Sequence, residues 1–276
     1  MSELRAKMKM DLELRGYSPT TIKYYVERVS RFAAYFNKSP DLLGEDEIRE
    51  YLHYCITEKH LSEGTVNGSY AALKFFYTKT LGRKWDMDKL ARAREGKKLP
   101  VVLSKSEVKA IFDATENLKH KTILMTIYAA GLRVSEAAKL KIEDIDSQNM
   151  QIIVRQGKGK KDRYTLLSKA NLEILREYWK SYHPKTYLFP GKYPERPVSA
   201  RTKQKIFQRA MDATNIKKDA SVHTLRHSFA THLLDAGTDI CYIQRLMGHT
   251  SINTTTIYLH LRRMDLINIK SPLDNL

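Results

Sequence analysis

Residues 221–260 read SVHTLRHSFATHLLDAGTDICYIQRLMGHTSINTTTIYLH, and their apolar spacing decides what kind of fold this chain makes. Leu225, Phe229 and Leu233 recur four apart, which places one apolar stripe on a helix that Gly237 can close; Asp239 can cap a second helix carrying Ile240, Ile243 and Leu246. The run as a whole is predicted to form three short helices. His223 and Arg226 are three apart, so both project from one edge of the first helix at its N-terminal end. A guanidinium and an imidazole beside free backbone N–H groups make an anion site, because the donors and the helix dipole all favour negative charge. His249 and Tyr258 follow in the same run, each suited to phosphate chemistry.

The rest of the chain agrees with an anionic partner. Its 276 residues carry 48 Lys and Arg against 31 Asp and Glu, a formal charge of +17 with a pI near 9.7, and the excess is spread over both halves. That balance favours nucleic acid gripped from two sides over a basic tail, though lysine-rich surfaces also serve solubility alone. The length allows two domains with proper cores. Only Cys55 and Cys241 occur, so no disulfide framework is implied and a reducing compartment is expected. The N-terminus, MSELRAKMKM, lacks a signal-peptide core. The longest apolar stretch, Ile123 to Leu132, is too short to span a bilayer, so a soluble cytoplasmic protein with no membrane partner is expected.

Upstream, apolar positions keep helical spacing as far as Leu81: Leu12 and Leu14, then Ile22, Tyr25, Val29, Phe32 and Phe36, then Ile48, Leu52 and Ile56, then Val66, Tyr70, Leu73 and Phe76. Ser18 before Pro19 and Ser62 before Glu63 mark helix starts. Four helices with short loops fill residues 1–92, a bundle with no room for a cleft, whose task would be to bind. ARAREGKKLP is basic and ends in Pro, giving a linker at 93–100, and Ser104 with Glu107 forms a capping box that opens the second domain, 101–276. Within it, helices are expected near 104–115, 119–130, 169–181 and 199–213. Between them KIEDIDSQNMQIIVRQGKGKKDRYTLLS alternates and is β-branched, a small antiparallel sheet whose hairpin tip bears Lys158, Lys160 and Lys161. The fold class is therefore mainly α with a small antiparallel sheet.

Taken singly, the polar candidates have ordinary explanations. Tyr258 sits between Ile257 and Leu259 like a core tyrosine; Arg133 can pair with Glu136 three residues on; Lys158 suits a solvated turn; His223 and His249 suit helix ends. Together, GLRVSE at 131–136, a Lys on a hairpin, HTLRH at 223–227, Gly248–His249 and Tyr258 resemble the tyrosine recombinase (phage integrase) family, in particular its short Xer-like members. RGYSPTTIKYYVERVSRFAAYF resembles that family's core-binding domain.

The resemblance implies a site-specific DNA recombinase. Tyr258 would attack the scissile phosphate to give a 3′-phosphotyrosyl link and free a 5′-hydroxyl. Arg133 and Arg226 would hold the non-bridging oxygens of the transition state. His223 and His249 would hydrogen-bond the same oxygens, with His223 a candidate acceptor for the tyrosine proton. Lys158 would protonate the departing 5′-oxygen, with Lys160 and Lys161 as rivals by position, and Glu136 would orient Arg133 or a helix end. The implied partners are a double-stranded DNA core site and three further copies of the chain. Leu261, Met264, Ile267 and Ile269 would dock on a neighbouring subunit. No cofactor is expected: GKGKKDR lacks the GxxxxGK[ST] arrangement of a nucleotide loop. No metal is expected either, since His223 and His227 stand four apart without an HExxH glutamate; His227 is read as packing or hydrogen-bonding. Neither an arm-binding domain before residue 1 nor an integron-type insert before His223 is seen, which favours chromosome or plasmid dimer resolution over a compact mobile-element integrase. The rivals are a non-catalytic DNA-binding regulator on the same fold and a monomeric type IB topoisomerase-like relaxer.

Overall fold

The computed structural model describes residues 3–85, 100–155 and 162–261, which fall into two units, Met1–Lys97 and Lys98–Leu276. The first is helical. It comprises α1 (Glu3–Leu14), α2 (Pro19–Phe36), α3 (Glu45–Thr57) and α4 (Glu63–Phe75), the last running on into one π-helical turn, Phe76–Thr80. Ser18 accepts the Thr21 amide at the start of α2, and Pro19 supplies the preset first turn. Met8, Leu12, Val26, Phe32, Ile48 and Leu73 meet in its core. Two stripe positions differ from their spacing: Leu14 and Ile56 are exposed, and Met8 and Cys55 sit inside in their neighbourhood. The linker expected at 93–100 lies, apart from Pro100, outside the described residues.

The second unit opens on α5 (Lys105–Asp113), whose capping box pairs the Ser104 hydroxyl with the Glu107 amide at 3.2 Å and the Glu107 carboxylate with the Ser104 amide at 2.6 Å. Then come α6 (Leu118–Ala129), α7 (Val134–Lys139), three strands, β1 (Ile145–Asp146), β2 (Gln151–Val154) and β3 (Arg163–Leu166), and helices α8 (Lys169–Tyr182), α9 (Ala200–Asp212), α10 (Val222–Asp235) and α11 (Ile240–Met247). The strands form one antiparallel sheet in the order β1-β2-β3, with Ile152 opposite Thr165 and Val154 opposite Arg163. The architecture is thus mainly helical with a small three-stranded sheet.

Two helices of the opening run form as spaced. Leu225 and Phe229 are buried on α10, the Thr238 amide returns to Leu233 O beyond its end, and the Asp239 carboxylate caps α11 through the Cys241 amide. The third does not become an α-helix. Residues Ile252–Thr254 and Thr256–Leu261 make 3₁₀ turns instead, in a stretch where Thr254, Thr255 and Thr256 are consecutive β-branched residues of low helix propensity. Among the described residues no helix is long and apolar enough to cross a membrane. The expected tail contacts of Met264, Ile267 and Ile269 fall outside the described residues, as does the side chain of Leu261.

Candidate active site

The site is built where the C-terminal ends of α6 and α11 meet the first turn of α10. Burial of Leu225 and Phe229 carries Arg226 inward with them, leaving it 5% exposed. Its guanidinium donates to Gly131 O just past α6, to Met247 O at the end of α11 at 2.5 Å, and to His249 Nε2 at 3.2 Å. Arg133 stands at the N-cap position of α7, and Glu136 receives its backbone amide at 2.8 Å and its Nη1 at 2.7 Å; Arg133 Nη2 reaches Gly248 O at 3.1 Å. The Arg133–Glu136 pair expected from their spacing is therefore made, and Glu136 orients Arg133 from within.

Gly131 and Gly248 hold φ of +58° and +62°, the left-handed conformation that glycine adopts without steric cost. A Cβ at Gly131 would run into the Phe229 ring, and one at Gly248 would come within 2.7 Å of Arg163 Cδ.

Arg163, at the start of β3, is a residue the sequence reading missed. Its Nη1 and Nη2 clasp both oxygens of Glu136 at 2.9 and 2.7 Å, and its Nε donates to Leu246 O at 2.9 Å. Nothing in its local pattern sets it apart from other basic strand residues; only the fold brings it to Glu136. Burial alone would raise the Glu136 pKa, but the Arg163 hydrogen bonds and charge, followed by Arg133, overcome it and hold the carboxyl at about 2.

Three guanidiniums thus share one carboxylate, leaving a formal excess of two positive charges. Arg226 is served worst, with Glu136 Oε2 at 3.7 Å. Burial, then the charge of Arg133, pushes its pKa down to about 9, with Glu136 opposing. It stays protonated at neutral pH in a place that penalises the charge, which an incoming anion would relieve.

Two histidines flank this cluster. His249 follows Gly248, with Nδ1 2.8 Å from Thr255 Oγ1 and Nε2 facing Arg226. Arginine can only donate, so Nε2 accepts and Nδ1–H donates to the threonine. Burial, then Arg226 and Arg133, lowers its pKa to about 4, so the ring is neutral. His223 is exposed on the first turn of α10, and partial desolvation, then Arg226 and Arg133, lower its pKa.

Tyr258 lies in the second 3₁₀ turn, 2% exposed, packed with Phe229, Ala230, Leu234, Ile243 and Met247. Its hydroxyl is 3.0 Å from His227 Nδ1. Burial raises its pKa, while Arg226 and Arg133 pull the other way. The structure therefore gathers Arg133, Glu136, Arg226, His249 and Tyr258, with His223 at the edge, and adds Arg163, His227 and Thr255. Lys158, Lys160 and Lys161 lie outside the described residues. Among the described residues, no three His, Cys, Asp or Glu side chains are grouped to hold a metal ion.

Comparison with known proteins places this geometry in context. Residues 101–264 match the Phage integrase family and residues 4–87 match the phage integrase N-terminal SAM-like domain. A putative integrase/recombinase, y4qK, of Sinorhizobium fredii is 43% identical over 275 residues, covering 99% of this chain and 89% of its own. The tyrosine recombinase XerA of Pyrococcus horikoshii is 35% identical over 258 residues, covering 93% and 88%. The crystal structure of a lambda integrase (75–356) dimer bound to a COC′ core site superposes with a TM-score of 0.78 at 18% identity, covering 98% of this chain and 99% of that one, a likeness of fold.

Proposed function

Starting from a chain that belongs to the phage integrase family and is a site-specific tyrosine recombinase, we propose that it cuts and rejoins DNA strands through a covalent link at Tyr258. The observation that carries this is the buried cluster of Arg133, Arg163 and Arg226 around a single carboxylate, with a tyrosine hydroxyl inside its field. Such an excess of fixed cations is matched to a phosphodiester whose charge grows in the transition state.

Tyr258 Oη attacks phosphorus, the P–O5′ bond breaks, and the 5′-oxygen takes a proton from Lys158. Arg226 and Arg133 fork onto the non-bridging oxygens, and His223, open at the edge, adds a hydrogen bond. When phosphate takes the place that Met247 O and His249 hold on Arg226, His249 becomes free to protonate beside the anion and donate to it. A phenol leaves readily, so the 5′-hydroxyl of another strand reverses the step and the ester's energy is kept. Glu136 and Arg163 hold Arg133 in place.

Tyr258 is 2% exposed, so in this reading the 3₁₀ turn Thr256–Leu261 loosens enough for a phosphate to reach the hydroxyl while its contact with His227 is kept. Turns of this type have poorer hydrogen-bond geometry and open readily. In this reading residues 1–92 grip one face of the duplex and 101–276 the other, mostly through phosphates. Four copies act together, each docking its C-terminal tail on a neighbour. Resolution of chromosome or plasmid dimers is the role this reading favours over integration of a mobile element.

The test is a nicked suicide duplex incubated in EDTA and resolved by denaturing electrophoresis. Wild type is expected to form a protein–DNA adduct and Tyr258→Phe none. Adduct from the phenylalanine variant, or a strict need for a divalent ion, would overturn the mechanism.

A further inference from the structure

The contact between Tyr258 and His227 is not accounted for by the set of residues above. We infer that His227 is a further catalytic residue: its Nδ1 takes the Tyr258 hydroxyl proton as the phenolic oxygen attacks the phosphate. This rests on Tyr258 being the nucleophile, and goes beyond that reading by giving the proton a destination other than His223.

The geometry comes first. Among the described residues, the Tyr258 hydroxyl pairs with His227 Nδ1 at 3.0 Å, within the reach a general base needs, and makes no hydrogen bond with His223. Both side chains sit on α10 or against it, so the pair is held by packing: Tyr258 shares an apolar cluster with Phe229, Ala230 and Leu234, which lie within about two turns of His227 on the same helix. The charges favour one orientation of the proton. Arg226 and Arg133 both act on the phenol, which favours lone pairs facing them and a hydroxyl that donates to Nδ1.

The ring must then be neutral, with Nδ1 bare. The groups acting on His227 are Arg226 and His223 from its own helix, Tyr258 from the 3₁₀ turn and His249 from the segment after α11. Burial, then Arg226, then His223 lower its pKa from the ordinary 6.5, so the unprotonated form prevails at neutral pH.

The same charges make the base depend on the substrate. With the arginine cluster empty, an imidazolium at His227 would add a further cation to an uncompensated excess. A phosphate seated on Arg133 and Arg226 cancels that excess and makes the protonated ring tolerable. Proton transfer is thus favoured only when a phosphodiester is in place. The O–H bond of Tyr258 breaks with its proton passing to Nδ1, the Oη–P bond forms, the P–O5′ bond breaks, and the electron pair leaves on the 5′-oxygen, which Lys158 protonates. On rejoining, His227 returns the proton to the departing phenolate.

Single-turnover adduct formation on the nicked suicide duplex, with DNA binding measured alongside, is the test for wild type, His227→Ala, His227→Asn and Tyr258→Phe. Asparagine keeps the size and can accept the tyrosine's hydrogen bond, but cannot take its proton. Both His227 variants should lose roughly 100-fold or more in adduct rate with binding retained, the lower end of what a general base contributes. Their rates should also be free of the acid limb expected from protonation of the wild-type imidazole. Recovery to wild-type rate by asparagine alone would reduce His227 to a positioning residue and overturn the inference, as would an unchanged or faster rate in both variants. Adduct from Tyr258→Phe would instead overturn the reading beneath it. ¹⁵N NMR of the wild-type imidazole decides independently of any variant's folding: a bare Nδ1 is expected, and an Nδ1–H tautomer at neutral pH would sink the proposal.

Discussion

Among the described residues of the N-terminal unit, the side chains shut away from water are apolar, aromatic or hydroxylated, with Ser69 and Thr80 as the polar ones; the C-terminal unit buries Glu136, Asp144, Lys203 and Arg226. Burying a charge is costly unless it is paired. Asp144 is paired with an arginine, and Lys203 is held by carbonyls alone. Asp144 takes Arg155 Nε at 2.6 Å and the Lys141 amide at 2.9 Å, and Lys203 gives its ammonium to Val198 O at 2.7 Å beside the start of α9. Glu136 is oversubscribed, and Arg226 is left with carbonyls, a histidine and a distant carboxylate. Among the described residues the first unit buries no charged side chain, whereas the second holds an uncompensated excess of positive charge.

That contrast can be broken or sharpened by experiment. Phe32→Ala, in the apolar core of the first unit, should destabilise that unit by about 3–5 kcal/mol, read by denaturant titration, while the adduct rate at saturating DNA stays at the wild-type level. Arg226→Lys should do the reverse. A lysine cannot fork onto two oxygens, so the adduct rate should fall about 10²–10³-fold, with the first unit's unfolding unmoved.

Acid should separate the units next. The Glu136 carboxyl titrates at about 2 in the folded chain against 4.5 for a free one. The stability it contributes is present above 4.5 and is lost as pH falls from 4.5 toward 2, roughly 3 kcal/mol in all. Hydrogen exchange on the whole chain through that window should show α7 and β3 losing protection before α2 and α4. The smallest effect is expected at Thr255→Val, which removes the partner of His249 Nδ1 at a cost of about 1 kcal/mol, visible as a several-fold slower adduct without a change in the amount formed.

What could be read from the residues was whatever local chemistry fixes. Helix starts at Ser18, Ser104 and Asp239 were legible because a short polar side chain three residues or fewer from the amide it caps is a local signal. The Arg133–Glu136 pair was legible for the same reason, and family resemblance added Arg226, His249 and Tyr258. Arg163 was invisible because its partners, Glu136 and Leu246, lie 27 and 83 residues away. His227 was noticed for its spacing from His223, yet its bond to Tyr258 spans 31 residues and needed the fold. The last helix of the run forms as 3₁₀ turns, a choice its spacing left open because apolar spacing in the Thr-rich stretch at 254–258 suits 3₁₀ turns as well as an α-helix. Burial of Tyr258 was legible in its apolar neighbours Ile257 and Leu259, whereas the partner of its hydroxyl was not.

The paired left-handed glycines bear on how far this protein can be redesigned. Gly131 and Gly248 present the very carbonyls that Arg226 and Arg133 grip, and neither has room for a methyl group. Asparagine, the usual substitute in such turns, is shut out by volume. A mutagenesis library aimed at new target sequences should keep these two codons fixed, since a side chain at either position would disturb the arginine that its carbonyl holds.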